Sequence, residues 1–299
     1  MPRQPRPALT LVEVLVALAI LAILVGLTLA AVQQARAAGA RAGCANNLRQ
    51  IALALHQFHD AEGAFPPAVK TRIAGGTEPY LSWRGRLLPY IEQMPLWQQT
   101  LAAYRVQPNP FTDPVHVGRV TVLRVYACPA DGRLATPWEV TTRPGHTVRT
   151  AFGSYLGNSG RETHLRDGIL FPNSRVRLTD VADGTSTTLL AGERPPSKDL
   201  IYGWWYAGSG QGAGYLDAHL GVADLNRKGP SYHGCPAGPY GYRPPSPDDD
   251  CSAFRFWSTH PGGANFALAD GSVRFLPYSI EPILRSLASR AGGEIVDLP

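Results

Sequence analysis

A run of nineteen residues without a single charge, Val14–Val32, constrains this chain more than any other feature of its sequence. A helix of that length spans about 28 Å, close to the thickness of the hydrocarbon core of a bilayer. The run is longer than the apolar region of a secretory signal, which has roughly 7–15 residues. The small residues at 37–40 nevertheless leave a cleaved secretory signal as an alternative. We therefore predict a transmembrane helix, with one carboxylate, Glu13, near its start.

The pattern changes beyond the apolar run. In the segment "CANNLRQIALALHQFHD", residues 44–60, apolar side chains recur at steps of three and four residues, as on one face of an amphipathic helix. These side chains are Leu48, Ile51, Ala52, Leu55 and Phe58. Because no proline interrupts residues 8–65, we predict one helix from about Leu9 to His59. Its first half would lie in lipid and its second half would pack on a soluble domain, with Gly63 and Pro66 as stop signals.

The stretch "ALTLVEVLVALAIL" resembles the N-terminal motif of type IV prepilins and type II secretion pseudopilins. In that family a short basic leader is removed before an aromatic or apolar residue, which is followed by Thr, an aliphatic residue and Glu. The resemblance implies that a prepilin peptidase cleaves between Ala8 and Leu9 and that Leu9 becomes N-methylated. The family usually has Gly and Phe at these two positions, whereas this chain has Ala and Leu.

Glu13 then needs a physical explanation, because an ionised side chain in hydrocarbon costs on the order of 3 kcal/mol or more. In a filament, neighbouring helices replace the lipid, and Glu13 can meet the positively charged N-terminal amine of the next subunit. Such a pair would fix the register between subunits. We interpret Glu13 as an assembly device, and the alternative is a tolerated glutamate at the membrane edge.

A wider resemblance covers the body of the chain. Several blocks look like successive parts of one bacterial family of large prepilin-like proteins, whose long domain has no assigned function and ends in an H-x9-DG element. The blocks include "CANNLRQIALALHQFHDAEGAFPP", "LSWRGRLLPYIEQMPLW", "VYACPADG", "SYLGNSG" and "RLTDVADGTSTTLLAGER". This resemblance implies a pilin-like stalk with a mostly β body and no defined biochemical activity.

The predicted fold class is α+β, with a long N-terminal transmembrane and stalk helix followed by a β-rich pilin-like globular domain. We predict a leader at 1–8, a transmembrane segment at 9–32, an amphipathic stalk at 33–60 and an extracytoplasmic domain at 66–299. A short helix is expected near Leu87–Leu101, before many short strands. The segment "TSTTLLAGE", residues 185–193, predicts a strand because it is rich in β-branched residues, with Glu193 and Arg194 placed to pair at its end.

The H-x9-DG element consists of His260, nine residues, and then Asp270 and Gly271. Asp-Gly between alternating apolar residues predicts a hairpin with a two-residue type I′ turn. That register pairs Ala269 with Ser272, Leu268 with Val273 and Phe266 with Phe275, so that the four large apolar side chains share one face. The element is therefore predicted to be structural, and a catalytic or metal-binding pair of His260 and Asp270 is the alternative.

Four cysteines, Cys44, Cys128, Cys235 and Cys251, allow three disulfide pairings. Cys235 and Cys251 lie sixteen residues apart in a segment rich in Pro and Gly, which has few apolar side chains to bury. A disulfide closing that loop would stabilise the fold by about 3 kcal/mol. Cys44 would then pair with Cys128, joining the stalk to the body. An even number of cysteines favours an oxidising compartment outside the cytoplasm.

Other candidate sites have weaker signals, and we predict neither a cofactor nor a metal. A zinc site would need His233, Cys235, Cys251 and His260, whose spacing matches no compact zinc motif. Three consecutive acids at 248–250 could bind Ca²⁺, but they cannot all face one ion, so a solvated loop is favoured. His56 and His59 are expected to pack or face solvent, and the glycine-rich segment at 208–214 lacks the strand–loop–helix context of a phosphate site.

Charge and motif content exclude further classes of function. The net charge is +5, and it falls to +3 when Arg3 and Arg6 leave with the leader, since 5 − 2 = 3. No cluster of basic residues with interleaved aromatics is present, so nucleic acid is not a predicted partner. Ser186 lacks the flanking glycines of a nucleophile elbow, and no other catalytic constellation is evident, so the chain is not predicted to be an enzyme.

The predicted function is that of a structural prepilin-like or pseudopilin-like subunit of a type IV pilus or type II secretion-like apparatus. Its predicted partners are a prepilin peptidase, other pilin-like subunits and membrane lipid. Arg3 and Arg6 favour a cytoplasmic N-terminus, although the arginines just beyond the span nearly balance them. The alternative is a membrane-anchored module that binds a polysaccharide or envelope partner without polymerising, which exposed aromatics around Trp204–Tyr206 would support.

Overall fold

The structure is a computed structural model that describes most of the chain. The described residues are 10–71, 77–112, 116–143, 146–208, 214–227, 229, 234–245, 249–294 and 296.

Helix α1 runs without interruption over 52 residues, Leu11–Glu62. It ends where Gly63 adopts a left-handed conformation with φ of +74° and donates its N–H to the His59 carbonyl at 2.7 Å. This is the usual glycine C-cap, and it confirms the predicted stop signal. The chain divides into two compact units, Met1–Ala42 and Gly43–Pro299, and α1 contributes to both.

In the first unit, every described side chain from Thr10 to Gly39 is exposed. By length and composition α1 could cross a membrane, and none of its most apolar window is buried within the protein. In the second unit the same helix buries one stripe, as the periodicity predicted. The buried residues of α1 are Cys44, Leu48, Ile51, Ala52, Ala54 and Leu55.

The other α-helices of the described residues are short. They are α2 (Trp83–Arg86), α3 (Met94–Val106), α4 (Val117–Val120) and α5 (Glu281–Ala288). Single 3₁₀ turns lie at Leu88–Ile91, Arg124–Tyr126, Gly132–Ala135, Leu178–Asp180, Asp250–Phe254 and Tyr278–Ile280.

The helix predicted near Leu87–Leu101 is wrong as a single element. The chain first forms a 3₁₀ turn, passes through Glu92 in a left-handed conformation with φ of 61°, and then begins α3. Pro89 and Pro95 each lie in the first turn of one of these elements. Because proline has no N–H to donate, it suits a helix start and breaks a continuous helix.

Within the described ranges, seven strands form two sheets. They are β1 (Trp138–Arg143), β2 (His146–Thr150), β3 (Tyr155–Gly160), β4 (Leu189–Glu193), β5 (His219–Gly221), β6 (Gly263–Leu268) and β7 (Val273–Pro277). β1 and β2 make a separate antiparallel hairpin, and the other five strands have the order β5-β3-β4-β6-β7. Among these strands, only β3 and β5 pair in parallel. The strand predicted at 185–193 is present only from Leu189, because Gly184 to Thr188 form a turn.

Both faces of the five-stranded sheet are buried. One face contributes Tyr155 and Leu190 to a core that includes the buried stripe of α1. The opposite face contributes Leu156 and Leu268 to a second core that includes α5. The observed arrangement confirms the α+β class and places the centre of the sheet, β3-β4-β6, between the two cores.

The predicted register of the β6–β7 hairpin is wrong by one residue. Ala267 pairs with Val273, and Phe266 pairs with Arg274. The Leu268 N–H donates to the Ser272 carbonyl, which closes a loop of three residues. Within this loop only Gly271 has a positive φ, +86°, whereas a type I′ turn needs two such residues.

The shift in register changes which apolar side chains share a face. Phe266 and Leu268 lie in the core beside α5, whereas Val273 packs against the core beside α1. The prediction that Phe266, Leu268, Val273 and Phe275 share one face is therefore wrong, since a slip of one residue reverses the face of a strand.

Candidate functional site

The first candidate region is the start of α1. Ala8 and Leu9, the predicted cleavage and methylation positions, lie outside the described residues. Glu13 is described and exposed, and its Oε2 atom accepts hydrogen bonds from the Thr10 N–H and the Thr10 hydroxyl, each at 2.9 Å. The Thr10 hydroxyl oxygen also lies 3.3 Å from the Glu13 N–H, which donates to it.

These reciprocal bonds form a capping box, in which a Thr caps the helix and a Glu three residues later reaches back to its backbone. The pattern T-x-x-E is the sequence signal for this motif. The interpretation of Glu13 as an assembly device does not include this capping role. Glu13 therefore has a local function as a helix cap within its own chain. Its Oε1 atom makes no hydrogen bond within the described residues, so one oxygen remains for a second partner.

The second candidate region is the H-x9-DG element. The Asp270 carboxylate accepts the Ser272 N–H at 2.8 Å, and Gly271 provides the left-handed residue of the turn. His260 lies before the start of β6, whereas Asp270 lies after its end. The six residues of β6, which span about 20 Å, lie between them. The element is thus structural at its Asp-Gly end, and its histidine and aspartate do not meet, which contradicts the alternative of a catalytic or metal-binding pair.

His260 lies instead beside a disulfide. Cys44 of α1 is bonded to Cys128, and we call this bond the stalk disulfide. The His260 Nε2 atom is 3.6 Å from the Cys128 Sγ atom and 3.4 Å from a Glu193 carboxylate oxygen. The relative exposure of Cys44, Cys128, Glu193 and His260 is 0%, 3%, 1% and 4%. Glu193, His260 and the stalk disulfide thus share one buried site, which we call the Cys-His-Glu cluster.

Neighbouring elements fix each member of this cluster. Glu193 ends β4, and its carboxylate accepts the Asn265 backbone N–H at 2.6 Å and the Asn265 side-chain N–H at 3.1 Å from β6. The backbone N–H of His260 donates to the Ser258 hydroxyl oxygen at 2.9 Å. The Cys128 N–H donates to the Ser154 hydroxyl oxygen at 3.1 Å.

Tyr155 connects the cluster to α1. Its hydroxyl donates to the Cys44 carbonyl at 3.3 Å, and the Asn47 side chain donates to the same hydroxyl at 3.3 Å. Burial raises the pKa of Tyr155, and the negative charge of Glu193 raises it further. The hydroxyl therefore stays protonated and remains a donor at any physiological pH.

The predicted pairing of Glu193 with Arg194 is wrong. Arg194 is fully buried and donates to the carbonyls of Pro195 and Leu216 instead. Successive residues of a strand point to opposite faces, so two neighbours at a strand end rarely reach each other. Burial lowers the pKa of Arg194 to about 10.

Cys235 is bonded to Cys251, and we call this bond the loop disulfide. Both sulfurs are thereby used, so the zinc set of His233, Cys235, Cys251 and His260 is not assembled, and His233 lies outside the described residues. Asp249 accepts the Cys251 N–H at 2.9 Å and pairs with Arg255. This acid therefore caps a turn, while Asp248 lies outside the described residues.

The two histidines of the stalk pack as expected. His56 and His59 both place their rings against Phe65, with centroids 5.6 Å and 5.0 Å apart. The His59 Nε2 atom also accepts the Leu178 N–H at 3.2 Å. Of the glycine-rich segment at 208–214, residues 209–213 lie outside the described residues.

The aromatic group at 202–206 belongs to the core. Its four members, Tyr202, Trp204, Trp205 and Tyr206, are all buried. Trp205 also donates its indole N–H to the Thr121 carbonyl at 2.7 Å. These side chains cannot stack on a sugar from the surface, so the feature that would have supported a polysaccharide-binding module is contradicted.

Comparison with known proteins gives two family matches. The profile of the family described as "Protein of unknown function (DUF1559)" matches residues 33–283. The profile described as "Prokaryotic N-terminal methylation motif" matches residues 6–29. No curated protein and no solved structure matches the chain.

Proposed function

We propose that this chain, which belongs to the DUF1559 family of proteins of unknown function, is a pilin-like structural subunit anchored and assembled through its N-terminal helix. The methylation motif points to a prepilin-like protein of the type IV pilin or pseudopilin type. This match carries the proposal, because it covers the predicted cleavage position, Glu13 and most of the apolar run within residues 6–29.

In this proposal a prepilin peptidase removes residues 1–8, and the new N-terminal residue, Leu9, is methylated. Residues 9–32 hold the subunit in the inner membrane with its N-terminus in the cytoplasm, and 33–60 form the stalk. The domain at 66–299 lies in the periplasm or outside the cell. The exposed apolar side chains of α1 support membrane anchoring, because such a surface is stable only against lipid or other apolar helices.

The subunit would associate with other pilin-like subunits of a type IV pilus or type II secretion-like apparatus. The Oε1 atom of Glu13, which makes no hydrogen bond within the described residues, supports this role, since a carboxylate surrounded by apolar helices needs a cation. In this proposal that cation is the N-terminal amine of a neighbouring subunit. Replacing Glu13 by Ala should leave membrane insertion intact and impair co-assembly.

Intact-mass analysis of the chain purified from membranes tests the processing step. The expected mass lacks residues 1–8 and carries one added methyl group. As a matched pair, Ala8→Gly keeps a small residue before the cut and should be processed, whereas Ala8→Arg should accumulate unprocessed. Recovery of the wild-type chain starting at Met1, or starting after the apolar run, would contradict the proposal.

A membrane-anchored binding module remains a second candidate, for one reason. A cavity of about 380 Å³ is lined by Phe58 and Phe65 from α1 and its exit, and by three basic residues and one acid, Lys70, Arg86, Arg175 and Glu62. Arg86 is paired with Glu78 at 3.0 Å, so Lys70 and Arg175 are the basic residues for a ligand. Such a lining suits an anionic ligand with an apolar part. Calorimetric titration with acidic oligosaccharides tests this candidate. Imaging of surface filaments with an antibody against the chain distinguishes it from the first, since only a subunit is found along filaments.

A further inference from the structure

We propose that the Cys-His-Glu cluster is a divalent metal site of the reduced chain, which binds Zn²⁺ through Cys44, Cys128, Glu193 and His260 when the stalk disulfide is open. One donor atom from each residue lies within 4.8 Å of every other, and all four residues are buried. The proposal does not depend on the pilin-like function.

The chemistry of the donors fits zinc. Two thiolates, one imidazole and one carboxylate are the ligand types that zinc binds in proteins, and four protein ligands complete the tetrahedral shell of a structural site. Because all four residues are buried, the set has no position open to water. It is therefore a closed site that would stabilise the fold rather than carry out catalysis.

Two of the observed distances also fit. Zinc bond lengths of about 2.3 Å to sulfur and about 2.0 Å to nitrogen or oxygen give tetrahedral edges of roughly 3.6 Å for S···N and roughly 3.3 Å for N···O. The Cys128 Sγ atom is 3.6 Å, and the Glu193 oxygen 3.4 Å, from the His260 Nε2 atom. The same separations are long for a charge-assisted hydrogen bond, which has N···O of about 2.8 Å. His260 thus sits at the spacing of a fellow ligand.

At least one separation must change on metal binding. The two sulfurs, bonded in the disulfide, must move apart to about 3.8 Å, the S···S edge of a zinc tetrahedron. The carboxylate is already oriented for this role, because the Asn265 backbone and side chain both donate to it. Hydrogen bonds of this kind hold metal ligands in place and tune their basicity.

The reaction balances with a dithiol as the reductant. The dithiol transfers two electrons and two protons to the stalk disulfide, giving two cysteine thiols and leaving the reductant as a disulfide. Zn²⁺ then displaces both thiol protons, while His260 binds through a ring nitrogen and Glu193 through a carboxylate oxygen. A chain that has not yet been oxidised reaches the same state without a reductant. In the reverse direction a disulfide oxidant takes two electrons from the two thiolates, which re-forms the stalk disulfide, leaves the oxidant as a dithiol and releases Zn²⁺. Disulfide and metal therefore exclude each other.

The test uses the full chain in detergent, reduced with a phosphine that has no thiol to compete for metal, and Co²⁺ as the spectroscopic probe. The expected result is one Co²⁺ per reduced chain, with thiolate charge-transfer absorption and the strong d–d bands of tetrahedral Co²⁺, and displacement by Zn²⁺. The oxidised chain should bind none at this site. His260→Ala should weaken binding more than roughly 100-fold, since loss of a mere supporting residue already costs 10–100-fold.

Replacing both cysteines of the loop disulfide by Ser is the matched control, and this variant should keep the full signal. Loss of the signal in that control, or its survival when Cys44 and Cys128 are replaced by Ser, would overturn the proposal. Because substitution of a buried cysteine can unfold the chain, X-ray absorption of the reduced wild-type chain with Zn²⁺ gives an independent measurement. Two sulfur and two nitrogen or oxygen ligands support the site, and any other ligand count refutes it.

Discussion

Two substitutions at the start of α1 separate the capping role of Glu13 from a role between subunits. Glu13→Gln keeps an oxygen that can accept the Thr10 N–H, because a capping box accepts Glu or Gln at this position, but it removes the charge. Thr10→Val keeps the charge, but it removes the hydroxyl that bonds to Glu13 in both directions. Each variant therefore removes one role and preserves the other.

The expected magnitudes differ. Losing a helix cap costs about 1 kcal/mol, which limits the effect of Thr10→Val on co-assembly to roughly fivefold. Losing a close charge pair between proteins costs at least about 1.5 kcal/mol, and more away from water, so Glu13→Gln should reduce co-assembly tenfold or more. If Glu13 is only a cap, the order reverses, and Glu13→Gln behaves like the wild-type chain.

The assay is co-purification of two differently tagged copies of the same variant from membranes solubilised in a mild detergent. Membrane fractionation serves as the control, because both variants should insert as the wild-type chain does. Equal co-purification of Glu13→Gln and wild type would refute the assembly role. A defect of Thr10→Val as large as that of Glu13→Gln would refute the separation of the two roles.

Three further predictions concern the body of the protein. Replacing both cysteines of the stalk disulfide by Ala should lower the free energy of unfolding by about 4.5 kcal/mol, and the same change at the loop disulfide should lower it by about 3 kcal/mol. The difference arises because the two bonds close sequence separations of 84 and 16 residues. Urea titrations of the two variants measure both losses, and equal losses would contradict the chain-entropy argument. Gly271→Ala should lower the free energy of unfolding, measured by thermal denaturation, by about 1–2 kcal/mol, because the φ of Gly271 is +86°. Gly271→Asn should lower it less, and an Ala variant as stable as the wild type would contradict the turn geometry. Burial lowers the pKa of His116, so the unfolded chain takes up a proton before the folded chain does. The free energy of unfolding should therefore fall as the pH drops below about 6.5. His116→Gln should reduce this dependence of stability on pH, and an unchanged dependence would assign it to other groups.

Local sequence patterns predicted those parts of the fold that depend on near neighbours. The charge-free run marks the apolar half of α1, and the three- and four-residue spacing marks its buried stripe, because a helix repeats every 3.6 residues whatever surrounds it. Gly63 marks the helix end for the same reason. The pattern T-x-x-E is equally local, and it encodes the capping box that gives Glu13 a role within its own helix.

Patterns that admit two geometries were not decided locally. The Asp-Gly turn fits either a two-residue or a three-residue loop, and the choice moves every side chain of β7 to the other face. Burial of β7 resolves this choice, because in the observed register Leu276 pairs with Ala264 and lies with Phe266 in the core beside α5. Burial of an apolar side chain thus set a register that the turn residues left open.

The amino-acid sequence by itself determined a membrane-compatible helix, the buried stripe in the second half of that helix and the four cysteines that form the two disulfides. Only the tertiary structure brought Glu193 and His260 to the stalk disulfide, since these residues are far apart in the chain. Their meeting depends on β3, β4 and β6 lying side by side and on α1 packing across one face of that sheet. Strand order arises from burial of apolar surface over the whole domain, and no short sequence motif encodes it.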